Sequence, residues 1–171
     1  YVELERLYDE ENRTWVDIDD ISPYMKDAIV AIEDERFYSH HGMDLRRTFG
    51  AAANYIFKGD SSYGGSTITQ QLIKNVYDDD AKQVPRKIRE IYRAIKMEGE
   101  YSKEEILELY LNTIYLSQQC NGVQAASQVY FGKDAKDLTL AESACLAGIT
   151  QYPTKYDPLI NFENNKQKQE L

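Results

Sequence analysis

Ser22-Pro23-Tyr24-Met25-Lys26-Asp27-Ala28-Ile29-Val30-Ala31-Ile32-Glu33-Asp34-Glu35 sets the pattern for the whole chain. Serine ahead of proline supplies a helix N-cap and a first-turn residue already fixed at helical φ. Met25, Ala28, Ile29 and Ile32 then recur at helical spacing, which predicts a helix over 23–35 with that stripe buried. The stripe runs directly into Glu33. An acid at such a boundary is partly desolvated, a setting suited to a general base. Taken alone, one such Glu is more simply a surface carboxylate.

The same helical period continues outward. Asp44 can cap a second helix bearing Leu45, Phe49, Ala52, Ala53 and Ile56, and Gly59 to Gly65 reads as a polar loop suited to a mobile segment. Ser66 or Thr67 opens a third helix with Ile68, Leu72, Ile73 and Val76 inside. Pro85 starts a long basic helix carrying Ile88, Ile91 and Ile95. Ser102-x-x-Glu105 and Thr139-x-x-Glu142 are capping boxes, ahead of Ile106 to Ile114 and Leu140 to Ile149. Gln118 to Gly122 is a break and Val123 to Phe131 is helical. The Pro- and Asn-rich tail from Tyr152 reads as loop until its last turn. The one strand signal is the weak alternation of residues 14–18. The pattern predicts a mainly α fold of six to eight helices in one domain (21–171), preceded by an acidic lead-in over 1–20.

At 171 residues and 42% hydrophobic, the chain can bury one real core but not two. Nine Gly, four Pro and two Cys exclude collagen-like and disulfide-dense classes. No run approaches the roughly 18 apolar residues of a membrane span, and no signal peptide opens the sequence. The net charge of −9 is concentrated: residues 1–35 hold twelve acids and three bases, so the remainder sums to zero. Residues 74–96 hold seven cations (Lys74, Lys82, Arg86, Lys87, Arg89, Arg93, Lys96) against four anions. Such a local band in an acidic protein fits a small anionic ligand better than a nucleic acid. On charge alone a solvated helix face with pairs such as Arg86–Glu90 is the plainer reading and the preferred one.

Metal chemistry finds little support. Cys120 and Cys145 lack C-x-x-C spacing, and His40-His41 lacks an H-E-x-x-H context, so no zinc site is expected. An oxidising compartment would permit a Cys120–Cys145 disulfide, although even parity alone argues weakly. Cys145 is most simply a small buried residue. Asp78-Asp79-Asp80 reads as a solvated turn, since three consecutive acids do not share a face.

Gly64-Gly65-Ser66-Thr67-Ile68-Thr69-Gln70-Gln71 is a rarer string. Glycines and hydroxyl residues at a helix start offer N–H donors to an anion, and Gln70, Gln71, Lys74 and Asn75 crowd more polar groups onto that helix than a cap requires. In the next helix Arg86, Lys87 and Glu90 stand at i, i+1 and i+4, close enough to converge on one patch.

Together these strings resemble the peptidoglycan glycosyltransferases (glycosyltransferase family 51), which occur as monofunctional enzymes and as the first catalytic domain of class A penicillin-binding proteins. Glu33-Asp34-x-x-Phe37-x-x-His40-x-Gly42 resembles the family's first motif, and Gly65-Ser66-Thr67-Ile68-Thr69-Gln70-Gln71-Leu72-x-Lys74-Asn75 the second. Arg86-Lys87-x-x-Glu90 is similar to the third, and Lys103-x-x-Ile106-x-Glu108-x-Tyr110-Leu111-Asn112 to the fourth. Tyr130-Phe131-Gly132-Lys133, Leu140-Ala141-Glu142 to Gly148, Pro153 and Tyr156-Asp157-Pro158 match later segments, so the likeness runs from Ile21 to Pro158. Two departures stand out. Gln118-Gln119-Cys120 replaces a more Gly-rich stretch. The fifth motif is incomplete: either the chain stops inside it with Lys168 in the place of its Arg, or its boundary lies short of it.

The resemblance implies a lysozyme-like, mainly α domain with a smaller membrane-proximal lobe, for which Phe49, Tyr55, Ile56, Phe57 and Tyr63 are the candidate contacts. By helical spacing alone, Phe49 and Ile56 read equally as core. It implies polymerisation of lipid II into β-1,4 glycan strands with inversion and release of undecaprenyl pyrophosphate. Glu33 would be the general base, and Glu90 would orient Arg86 or Lys87 or assist the leaving group. Ser66, Thr67, Gln70, Gln71, Lys74, Arg86 and Lys87 would hold the diphosphate, and Lys82 is a weaker candidate. Asp34, Phe37, His40, Gly42, Asn75, Lys103, Glu108 and Asn112 would support the motifs. The implied partners are lipid II, the growing glycan strand and a membrane surface, with no nucleic acid and with a transpeptidase domain in a bifunctional parent. No resident metal is expected, although Mg2+ or Mn2+ on the diphosphate is used by some members. The implied location is the extracytoplasmic face of the bacterial membrane, held by an N-terminal anchor helix outside this sequence. Two rivals remain: a lysozyme-like hydrolase or lytic transglycosylase, which has no use for a cationic cluster, and a glycan-binding module using its 14 Tyr as platforms.

Overall fold

Pro23 to Glu33 forms helix α1, which places Met25, Ile29 and Glu33 on one buried face, with Ala28 and Ile32 half-buried beside them. Ser22 precedes it as expected, but its hydroxyl donates to the Leu138 carbonyl at 2.8 Å. The computed structural model describes residues 12–50, 65–77 and 83–169. The lead-in before Asn12, Ala52, Ala53, Tyr55, Ile56, Phe57, Tyr63, the loop from Gly59 to Gly64, Asp78-Asp79-Asp80, Lys82 and the last two residues lie outside that description. What is described is mainly helical, as expected, and falls into two compact units: residues 26–110, and residues 1–25 with 111–171.

In the unit of residues 26–110, α1 is followed by a 3-10 turn (Phe37–Ser39) and by α2, described over 45–50. Asp44 caps α2, accepting from Arg47 N through its carboxylate and from Thr48 N through its carbonyl. Burial pushes the Asp44 carboxyl up, but the Arg47 N–H and the Arg36 guanidinium outweigh it and hold the group below its ordinary value. Next come α3 (Ile68–Val76), α4 (Gln83–Glu100) and the start of α5 (Lys103–Thr113), with α3 packed along α4. Thr67 caps α3 by accepting from Gln70 N, and Ser102 and Glu105 form the expected reciprocal box at α5. The core of this unit is Ile29, Phe37, Ile68, Leu72, Ala94, Ile106, Leu107 and Tyr110.

Several apolar positions face solvent rather than the core. Val76, expected inside, is exposed, as are Leu45 and Phe49, the latter at 71%. On α4 the side chains turned inward include Glu90, Ala94 and Glu98, whereas Ile88 and Tyr92 are 63% and 69% exposed and Ile95 is also exposed. The helix is amphipathic with its polar stripe inside, because that stripe carries the partners of α3.

In the other unit, β1 (Asn12–Arg13) pairs in parallel with β2 (Cys120–Asn121). The strand therefore precedes the alternating residues 14–18 that signalled one. Asn112 pins the following segment by a two-way clasp, donating to Val16 O and accepting from Val16 N, both at 2.9 Å. Helices α6 (Val123–Phe131) and α7 (Leu140–Ile149) lie where expected, and Thr139 and Glu142 make the second capping box. The Lys133 ammonium and the Thr139 cap bring the Glu142 carboxyl down to about 2.

The tail corrects the sequence reading. It forms α8 (Pro153–Tyr156) and α9 (Phe162–Gln169), although its Asn-rich composition disfavours helix. Buried Asn165 supplies the reason: its amide donates to Cys145 O at 3.1 Å and Tyr156 O at 2.6 Å, docking α9 on α7 and α8. Cys120 and Cys145 are buried free thiols, so the disulfide is not formed. Burial, then the charges of Asp157 and Glu142, push the Cys145 thiol up to about 11.

Candidate active site

The first motif builds the floor of a polar cluster within residues 26–110. Asp34, fully buried directly after Glu33, accepts from Ile68 N at 3.0 Å, and His40 Nε2 lies 2.8 Å from the same oxygen. That oxygen therefore fixes the N-terminus of α3 against the end of α1. Gly42 has φ +79°, and a Cβ there would sit 2.6 Å from Ile95 N, so only glycine fits. The Gly42 carbonyl accepts from Thr67 Oγ1 at 2.9 Å and Gln70 Nε2 at 3.2 Å. Phe37 is buried under the Lys103 ammonium, which stands 4.3 Å from its ring centroid.

Two neighbouring glutamines on α3 connect this floor to both candidate carboxylates. Gln71 donates to Glu33 Oε2 at 2.6 Å, and the Tyr110 hydroxyl donates to Gln71 Oε1 at 3.1 Å. Glu33 is thus a buried acid held by an amide that is itself held. Burial, then the charges of Glu33 and Asp34, raise the Tyr110 phenol well above its ordinary value, which keeps it a donor. Gln70 accepts from Lys87 Nζ at 3.1 Å, and that ammonium also donates to Ser66 Oγ at 2.8 Å and to Glu90 Oε1. All three N–H groups of Lys87 therefore have protein partners. Glu90 pairs with Lys87 at i−3, not with Arg86 at i−4 as the spacing suggested.

Beside Glu90, a recess is lined by Ile73, Lys74, Tyr77, Arg86 and Arg93. Arg93 stacks over the Tyr77 ring at 4.4 Å. Three cations around one buried carboxylate leave the recess net positive, a charge balance that suits an anion. Its one acid is already paired, and among the described residues no group of three or more His, Cys, Asp or Glu could hold a metal ion.

The expected residues thus separate by role. Glu33 pairs with Gln71, while Ser66, Thr67, Gln70, Lys87 and Glu90 form a second cluster joined to that pair through the backbone of α3, and Lys74 and Arg86 line the recess. Asp34, Phe37, His40, Gly42 and Lys103 support these groups from below. Asn75 is exposed, Glu108 is half-buried on α5, and Asn112 belongs to the other unit, where it clasps Val16. Arg93 and Tyr110 join the expected residues, although the sequence marks Arg93 only as one cation of the basic band and Tyr110 only as a letter of the fourth motif.

A family profile described as transglycosylase matches residues 2–171. The chain belongs to the transglycosylase family. It is 43% identical over 168 residues to penicillin-binding protein 1F of Bacillus subtilis (strain 168), covering 98% of this chain and 23% of that protein. It is 47% identical over 161 residues to penicillin-binding protein 1A of Escherichia coli (strain K12), covering 94% of this chain and 19% of that one. Penicillin-binding protein 2D of Bacillus subtilis (strain 168) is 47% identical over 159 residues, again with 23% of its length covered. The chain therefore spans about a fifth of the relatives it matches. This transglycosylase domain is of the peptidoglycan glycosyltransferase class.

Proposed function

We propose that the domain polymerises lipid II, joining the reducing-end MurNAc of the donor to the 4-hydroxyl of the acceptor's GlcNAc. Glu33 takes the proton from that hydroxyl as the oxygen attacks the anomeric carbon. The bond to the α-linked pyrophosphate breaks as the β-1,4 bond forms, and undecaprenyl pyrophosphate leaves with both electrons of the broken bond. One inverting displacement needs no covalent enzyme intermediate, and it parallels inverting glycoside hydrolysis with a sugar hydroxyl in place of water.

The observation that carries this reading is the pairing of Gln71 with Glu33 and of Gln70 with the Lys87–Glu90 pair on one turn of α3. An acid and a cationic recess are thereby served by adjacent side chains. Negative charge grows on the leaving diphosphate, so preorganised cations lower the barrier most there. Lys74, Arg86 and Arg93 meet it in the recess, and Lys87 joins the ends of the second and third motifs. Glu90 orients Lys87; protonating a leaving group so surrounded by cations is unnecessary. Mg2+ or Mn2+ would enter as part of the diphosphate substrate and add to that charge.

Leu45 and Phe49 on α2 and Ile88, Tyr92 and Ile95 on α4 are exposed apolar side chains available to lipid, where such a substrate resides. Among the described residues no helix is long and apolar enough to cross a membrane. In the full protein the same reading includes an N-terminal anchor, an extracytoplasmic location and a transpeptidase domain, the last suggested by the names of the relatives.

The test offers the protein labelled lipid II and, separately, preformed glycan. Strands built from lipid II with glycan left intact support the transferase. Cleavage of glycan with lipid II untouched would replace it by a lysozyme-like hydrolase, whose neutral sugar leaving group has no need of the recess.

A further inference from the structure

Glu98 belongs to none of the strings that define the motifs, yet its side chain is only 1% exposed. Its two oxygens reach three different elements. Oε1 accepts from the Thr69 hydroxyl in the first turn of α3, and Oε2 accepts from Lys103 Nζ at 2.7 Å at the start of α5. His40 Nδ1, which is buried and has no hydrogen-bond partner, faces Oε1 at 3.8 Å. The opposite ring nitrogen of His40 lies 2.8 Å from the Asp34 oxygen that also accepts from Ile68 N.

Asp34 and Glu98 therefore stand on either side of His40, bonded to its Nε2 and facing its Nδ1 respectively, and each also reaches the start of α3. Two of these links, Asp34 to Ile68 N and Glu98 to Thr69, grip the first turn of α3 from two directions. Gln70 and Gln71 follow directly on that turn. A buried carboxylate whose oxygens carry a lysine and a hydroxyl is costly to move, because each displaced partner is left unpaired. A misplacement of about 1 Å in the groups that position a reacting atom costs about a hundredfold in rate.

We propose that Glu98 is a positioning residue for glycosyl transfer, fixing the α3 turn from which Gln71 holds Glu33. This rests on the transferase reading given above. The alternative is that Glu98 serves only as the counter-ion of Lys103, which stabilises the fold and leaves the chemistry alone.

Glu98→Gln and Thr69→Val separate these. Glu98→Gln removes the charge that faces His40 and Lys103; Thr69→Val removes one link while leaving the Glu98–Lys103 pair in place. Positioning predicts that both fold and that kcat with lipid II falls about tenfold or more for Glu98→Gln, with KM within about threefold. Thr69→Val shows the same split with a smaller loss and a Tm near wild type. The chain has two histidines, so imidazole 15N spectra report His40 directly, and its resonances shift in Glu98→Gln. Wild-type kcat in a folded Glu98→Gln protein, or loss of Tm with kcat and KM unchanged in Thr69→Val, overturns the proposal. The histidine spectra need no substrate. A wild-type protein inert toward lipid II would defeat the transferase reading, while unshifted His40 signals would defeat the Glu98 link by itself.

Discussion

Gln71 donates to Glu33 Oε2 across 2.6 Å while accepting from the Tyr110 hydroxyl, so the amide can present only its NH2 group to the acid. The carboxylate already favours the NH2 group, because its own oxygens only accept, and Tyr110 reinforces that orientation from the other side. The buried Tyr110 phenol, raised well above its ordinary value, stays protonated and able to donate to the amide oxygen.

Gln71→Leu should leave Glu33 without this partner and lower kcat for lipid II polymerisation about tenfold, or ~1.4 kcal/mol of barrier. Tyr110→Phe should give a smaller loss, because the amide keeps its donor. Initial rates at saturating lipid II check both, and a Gln71→Leu enzyme with wild-type kcat would remove Gln71 from the mechanism.

Lys87 joins Ser66, Gln70 and Glu90, so Lys87→Ala both removes a cation and leaves the Glu90 carboxylate buried without its partner. Donor recognition should weaken steeply, with kcat/KM falling about a hundredfold or more. Lys87→Ala/Glu90→Gln should recover stability but not activity. Unchanged kinetics in the single variant would sink the role of Lys87.

Helix starts were legible because their signals are local. The reciprocal bonds of Thr139 with Glu142 and of Ser102 with Glu105 involve residues three apart in the chain. The α9 helix was not legible, since the contacts of Asn165 lie 20 and nine residues away. Periodicity found α4 but not its orientation: Ile88 and Ile95 mark a face, and the partners on α3 decide that Glu90 and Ala94 point inward. The same limit hid Glu98, whose importance comes from three elements meeting around it.

Acid stability should follow Glu142. Its folded value of about 2 lies below the ordinary 4.5, so its contribution is complete above about pH 4.5 and is lost as pH falls toward 2. Asp44 and Asp157 are lowered in the same sense. The Tm difference between wild type and Glu142→Gln should therefore be largest near neutrality and shrink below pH 4. A gap that widened in acid would contradict the assignment.

Ser117, Gln118 and Gln119 occupy left-handed backbone in succession, with φ of 65°, 47° and 58°. Such residues cost roughly 1–2 kcal/mol each when they carry a side chain. Ser117 and Gln118 offset this by donating to buried Asp157, each at 2.7 Å. Gln119→Gly should raise Tm by about 1–3 °C, whereas Gln118→Gly should gain less or lose stability through the missing bond. Thermal unfolding of the two variants decides it, and a drop for Gln119→Gly would show that its side chain has a partner of its own.

The most direct measurement follows labelled lipid II with wild type and Glu33→Gln side by side, with thermal unfolding and donor binding measured on the same samples. The account predicts long glycan strands from wild type alone, with Glu33→Gln folded and still binding donor. Strands from Glu33→Gln at the wild-type rate would contradict the assignment of Glu33 as the base.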